Sequence, residues 1–314
     1  MFMNNTLRLT AVALAFAGVA EAQTVSIGTN PQGSVAYATG SALAKVAIEQ
    51  ADIRMRVVPQ GGPNVVVPIV NAGEMEFSIA NGVVAANAYG GVGEFSRPNE
   101  NIRVAAVLFP LYSGFMVRAD SDINTLSDLA GRRLASDFLQ QKGAQLNSES
   151  VLRTVGLTYD DVQRVPVPSG VRGVEDFEAG NVDATFFSLS SGRTLQADAT
   201  IGGIRILAVE NSDEALANLT EVYKGAWIET VEPGPNFPGI HEPTGAFTTP
   251  FVVLANANVS DDLVYDFIKA LHDNKPALVA AAGAFEGFDP ARMNADIGVP
   301  FHPGAERFFA EMGM

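Results

Sequence analysis

Positions 107 residues apart in this chain carry the same local pattern twice. Ile27-Gly28-Thr29 answers to Leu134-Ala135-Ser136, an apolar residue followed by small ones. Val58-Pro59 answers to Val165-Pro166, Ala72-Gly73 to Ala179-Gly180, and Glu76-Phe77-Ser78 to Asp183-Ala184-Thr185. Few residues are identical, but the punctuation stays in register without a gap. Each copy reads as strand, polar loop, helix, strand, Gly/Pro loop, helix, glycine stop and strand, which is a βαβαβ unit. A chain that builds this unit twice is expected to be α/β, with two Rossmann-like lobes. Ligands of such units sit outside the carboxyl ends of the strands, so two lobes with facing strand tips would enclose a cleft.

The length of 314 residues, 47 % of them apolar, suffices for two cores. At the N-terminus Arg8 precedes an uncharged stretch from Leu9 to Ala20, followed by Ala20-Glu21-Ala22. This reads as a secretory signal peptide over residues 1–22, cleaved before Gln23 and too short to span a membrane. Cysteine is absent, which excludes disulfides, thiol catalysis, thiolate metal sites and an N-terminal lipid anchor. An exported, unanchored chain of this kind is expected in the periplasm. Its net charge of −15 argues against nucleic acid and anionic lipid as partners.

The first lobe is expected over residues 23–117 and 250–314, and the second over 118–249. Thr24 to Ile27, Ile53 to Val58 and Phe77 to Ala80 read as strands. Helices follow from about Ser34, a candidate N-cap, to Gln50, and from Val65 to a stop at Gly73. Pro68 in that second helix is expected to fall in the first turn. Ile102 to Phe109 and Gly114 to Arg118 read as two further strands, and Gly245 to Leu254 as an extended return between lobes. Two C-terminal helices, Asp261 to Asn274 and Ala305 to Met312, are expected to pack on the first lobe.

Gly28-Thr29-Asn30-Pro31-Gln32-Gly33-Ser34 lacks the lysine of a phosphate loop, yet presents backbone N–H groups from a helix start, suited to a small anion or polar group. Asn81 and Ser188 are equivalent under the offset and lie at the tips of the third strand of each copy. They are expected to face the cleft or to cap the following helix. Lys142, Arg172 and Arg193 follow strand tips in lobe two, where each could pair with a carboxylate or remain a solvated charge. Tyr37, Phe109, Tyr112 and Phe138 also fall near strand tips, as pocket walls or core. His241, His272 and His302 have no zinc-binding spacing, GxSxG is absent, and neither an enzyme nor a metal or cofactor is expected.

The segment from Ile27-Gly28-Thr29 to Gly40-Ser41-Ala42-Leu43-Ala44 resembles the N-terminal signature of TAXI solute receptors, which serve TRAP (tripartite ATP-independent periplasmic) transporters. Gln60-Gly61-Gly62, Ala72-Gly73-Glu74, Val117 to Ser121, Leu126 to Arg132, Ala179 to Ala184 and the ending His302-Pro303-Gly304-Ala305-Glu306-Arg307-Phe308-Phe309 are similar too. The resemblance implies a type II periplasmic-binding-protein fold that closes on a small organic solute, a carboxylate first of all, and delivers it to a TRAP-type permease. It carries ligand contact onto Thr29, Gln32, Gly33, Tyr37, Asn81, the stretch from Phe109 to Tyr112, and Ser188, Ser190 and Ser191. A soluble sensing partner of a membrane kinase or chemoreceptor is the alternative. Two departures bear on the ligand. The first loop is not glycine-doubled, and Asp137 and Phe138 stand where the family carries small donors. A carboxylate about 4 Å from Asp137 would be repelled by ~1–4 kcal/mol. The solute is therefore expected to be an acid held by Lys142, or a neutral or amine-bearing molecule that welcomes Asp137.

Overall fold

The computed structural model describes residues 24–314, so the signal peptide expected over residues 1–22 and its expected cleavage site lie outside the described residues. The first copy of the repeat gives β1 (Val25–Thr29), α1 (Val35–Ala51), β2 (Met55–Pro59), α2 (Pro63–Asn71), β3 (Phe77–Asn81) and α3 (Gly82–Gly90). A long strand, β4 (Ile102–Arg118), leads into the second copy. That copy is β5 (Arg133–Ser136), α4 (Lys142–Arg153), β6 (Gln163–Pro166), α5 (Gly170–Glu178), β7 (Ala184–Ser188) and α6 (Gly192–Ile201). Then come β8 (Ile204–Ile206), α7 (Asp213–Val222), β9 (Trp227–Val231) and the second long strand, β10 (Thr244–Asn256). Helices α8 (Asp261–Asp273), α9 (Lys275–Ala281) and α10 (Pro303–Met312) close the chain.

The duplication holds at the level of pairing. In β1 against β2, Val25 faces Met55, and in β5 against β6, Arg133 faces Gln163, the same 30-residue separation. The acidic residue ahead of each third strand does the same work in both copies. Glu76 accepts the N–H of Ser26 at 2.7 Å, and Asp183 accepts the N–H of Arg133 at 2.8 Å. Each carboxylate thus holds the start of the first strand of its copy, where the parallel ladder would leave a donor unpaired. Gly73 and Gly180 end the second helix of each copy at φ of 76° and 75°, a region L side chains rarely adopt.

Ten strands form one sheet in the order β2-β1-β3-β10-β4-β7-β5-β6, with β8 beside β4 and β9 beside β10. The lobe-one half buries residues from α1, α8, α9 and α10 on one face and from α2 and α3 on the other. The lobe-two half is covered by α4 and α7 on one face and α5 and α6 on the other. Both lobes are three-layer α/β/α units, and the long strands β4 and β10 run through both. The divisions expected at 117/118 and 249/250 fall inside these two strands.

Two local readings are corrected. Ile102 to Phe109 and Gly114 to Arg118 are one strand, although Pro110 lies between them. A proline normally interrupts a central strand because it has no N–H to give. Here Pro110 is paired with Pro250, so neither proline faces a partner that needs its missing donor. Pro68 sits in the interior of α2, because that helix starts at Pro63 rather than Val65.

Candidate ligand-binding site

Five helices begin at the same place. Ser34 caps α1 by accepting the N–H of Tyr37 at 3.2 Å, as its sequence position suggested. Its neighbours Val35 and Ala36, Pro63 and Asn64 of α2, Asn81 at the cap of α3, Gly143 and Ala144 of α4, and Gly170 of α5 all line one cavity between the lobes. In a βαβ unit every helix starts near the carboxyl end of the preceding strand, so facing two such units places their helix N-termini opposite each other. First-turn N–H groups have no acceptor within their own helix, and each N-terminus carries a partial positive charge.

The rest of the lining is mostly apolar, from Ile79, Leu111, Phe186, Phe187 and Phe251, with Asn30, Ser113, Gln141, Asn147 and Ser188 as polar points. Among the described residues the lining holds no charged side chain. The cavity measures about 100 Å³, well below the roughly 300–1,000 Å³ of drug-sized sites, so it suits a compact solute. The Asn147 Oδ1 atom is buried there with no hydrogen-bond partner among the described residues.

The lobes touch around this cavity. The Arg193 N–H donates to the Gly33 carbonyl at 3.1 Å. Gly62 packs on Gln140 and Gln141, and Gly143 on Val84 and Glu94. The latter contact leaves Glu94 Oε1 buried without a partner, and burial raises the Glu94 pKa against the lowering effect of its hydrogen bonds.

Of the residues singled out in the sequence, the structure places Asn81, Ser188 and, within the stretch from Phe109 to Tyr112, Leu111 in the lining. The amide of Asn81 is engaged with protein, however. Its oxygen accepts the N–H of Val83 at 2.8 Å and its nitrogen donates to Thr249 Oγ1 at 2.7 Å. The other candidates lie outside the lining, for identifiable reasons. Thr29 is buried under α1 and donates to the Asn30 carbonyl. Gln32 and Tyr37 bond each other outside the cavity, and Gly33 contributes its carbonyl to the lobe contact. Phe109 stacks with Phe251 and Phe285 in the core, and Tyr112 points to the other face of β4, toward Glu229.

Ser191 is fully buried as the cap of α6, bonded to Thr194, and Ser190 lies beside it outside the lining. Three of the four charged candidates are paired within the protein. Asp137 pairs with Arg164 and lies outside the lining. Arg172 is exposed and bridges Glu175 and Asp176, Arg193 pairs with Glu178, and Lys142 is exposed at the start of α4. Phe138 is core.

The model of the NMT1-like family matches residues 27–313. The chain belongs to the NMT1-like family. Among solved structures, one described as a periplasmic transporter overlays this NMT1-like chain with a TM-score of 0.57 at 14 % identity, covering 92 % of each chain. A protein of Bordetella bronchiseptica RB50 gives 0.54 at 14 % identity, covering 93 % of this chain and 98 % of that one. The alkanesulfonate-binding protein SsuA from Xanthomonas axonopodis pv. citri, bound to MOPS, gives 0.48 at 16 % identity over 91 % of this chain and 83 % of that one. The fold is that of the type II periplasmic binding proteins.

What sequence reasoning missed in this NMT1-like chain was available in the repeat. Six pairs of lining residues are equivalent under the 107-residue offset: Ser34 with Gln141, Ala36 with Gly143, Pro63 with Gly170, Ile79 with Phe186, Ala80 with Phe187, and Asn81 with Ser188. Applying the offset to helix starts, rather than seeking charged side chains, would have found Gln141, Gly143 and Gly170. Asn147 has no such signal, since its equivalent is Gly40.

Proposed function

We propose that this chain is a periplasmic solute receptor of the TAXI kind, which captures a compact organic anion, a carboxylate first, and hands it to a TRAP-type membrane permease. The observation that carries this reading is the convergence of five helix N-termini from two lobes on a small cavity without a charged side chain. An anion there is met by the helix dipoles, each worth ~0.3–1 kcal/mol and more when shielded from water, and by first-turn N–H groups not already taken by caps, the Gly170 N–H being held by Gln141 Oε1. The side chains of Ser113, Asn147 and Ser188 can supply further hydrogen bonds. The aromatic and aliphatic walls suit a short hydrocarbon portion. The pairing of Asp137 with Arg164 offsets its charge and so supports a carboxylate.

The two lobes close about the point where the antiparallel pair β4 and β10 passes from one lobe to the other, at the paired residues Pro110 and Pro250. The paired prolines lack the donors that would stiffen the ladder there, and register shifts in β10 lie just beyond them. Solute binding then favours the closed arrangement by its differential affinity for it. The TRAP partner and the periplasmic address rest on the resemblance and on the leader at residues 1–22. No helix of the described residues is long and apolar enough to cross a membrane.

Differential scanning of the purified protein against short mono- and dicarboxylates, alkylsulfonates, neutral sugars and amines tests the ligand class. Carboxylates are expected to raise the melting temperature, with a calorimetric stoichiometry of one. Stabilisation by sugars or amines alone, with no response to any acid, overturns the anion reading.

A further inference from the structure

A second, larger cavity lies back to back with the first. Alternate residues of β4 face opposite ways: Leu111 and Ser113 line the inter-lobe cavity, while Pro110 and Tyr112 line this one. In β10, Phe251 and Pro250 divide in the same manner. The second cavity measures about 700 Å³ and is walled by β9 on the lobe-two side and by the segment from Gly287 to Ile297 on the lobe-one side.

Its chemistry is the reverse of the cleft. Glu229 stands in the wall with its carboxylate oriented by two aromatic donors. The Trp227 indole Nε1–H donates to Oε2 at 2.9 Å, and the Tyr112 hydroxyl donates to Oε1 at 3.2 Å. Burial, then the charge of Glu229, pushes the Tyr112 hydroxyl up to about 12, so it stays a donor at neutral pH. Each carboxylate oxygen keeps an unspent lone pair, and among the described residues no lysine, arginine or histidine pairs with Glu229. Among the described residues Arg292 is the single cationic residue of the lining, exposed and outnumbered by Asp289 and Asp296.

We propose that this hinge-face cavity is a second ligand site, specific for a small organic cation, with Glu229 as counter-ion and the rings of Trp227 and Tyr112 as its walls. A carboxylate held at the donor edges of two aromatic rings offers an ammonium group its charge, and the rings beside it add π-electron density. The volume falls in the roughly 300–1,000 Å³ range of small-molecule sites. This inference is independent of the identity of the cleft solute.

Trp227 is the only tryptophan of the chain, so its fluorescence reports on this cavity alone. Titration with choline and with putrescine should give a saturable change in emission, and the uncharged carbon isostere of choline should give none. Glu229→Gln, which keeps the shape and a hydrogen-bond acceptor, should weaken the cation response about tenfold or more, with circular dichroism unchanged. Tyr112→Phe, which keeps the ring and the charge, should retain a saturable response. A wild-type protein that ignores both cations up to high millimolar concentration overturns the proposal. So does an equal response to choline and its isostere, or undiminished cation binding by a folded Glu229→Gln.

Discussion

Gly143→Ala tests closure directly. Gly143 is the second residue of α4, in lobe two, and a Cβ added there would lie 3.0 Å from Val84 Cγ2 and 3.2 Å from Glu94 Oε1, both in lobe one. Ordinary contacts to a methyl group begin about half an ångström farther out. Val84 is buried and β-branched within α3, so its side chain has little rotamer freedom to yield. The new methyl also presses on a carboxylate oxygen that already lacks a partner. Overpacking of this kind costs about 1–3 kcal/mol, and because it acts only when the lobes touch it should appear as a loss of solute affinity of about 5- to 150-fold. The open form feels no clash and gains up to about 1 kcal/mol from replacing glycine by alanine in a helix. The expected signature is weaker binding in calorimetry with an equal or higher melting temperature when no solute is present. Small-angle scattering with and without solute should show that the variant stays open at concentrations that close the wild type. Affinity unchanged within about twofold would refute the claim that closure runs through this contact.

Asn81→Ala removes the cap on Val83 and the buried bond to Thr249, so it should lower stability in urea titration by about 1–3 kcal/mol. Asp137→Asn should leave solute affinity unchanged, because the carboxylate is turned to Arg164. Its stability cost should be at most about 1 kcal/mol for a partly exposed pair, since asparagine also tolerates the positive φ of 64° there. His302 is buried at the N-cap of α10, where its Nδ1 accepts the N–H of Gly304, and burial holds its pKa below the usual 6.5. The unfolded chain therefore takes up the proton first. Stability should be complete above about pH 6.5 and fall as pH drops through the depressed folded value. His302→Asn, which keeps a capping oxygen, should flatten that decline in melting temperature.

The repeat made most of the fold legible before any coordinates. Strand and helix order, the glycine stops, the Ser34 cap and the matched tips at Asn81 and Ser188 are all short-range features. They are written in periodicity and punctuation within a few residues of where they act. The symmetric anchoring by Glu76 and Asp183 was visible only as a correspondence, since its partners are fifty residues away.

What tertiary structure alone decided is where each charge spends itself. Asp137 meets Arg164 across the β5–β6 connection, Arg193 meets Glu178 from the neighbouring helix, and Glu229 of β9 meets Tyr112 of β4. The pairing of Pro110 with Pro250, which lets one strand run where two were expected, joins residues 140 positions apart. Hydrophobic pattern and turn chemistry act along the chain and can be read from it. Ion pairing depends on distances between segments that only the packed fold brings together.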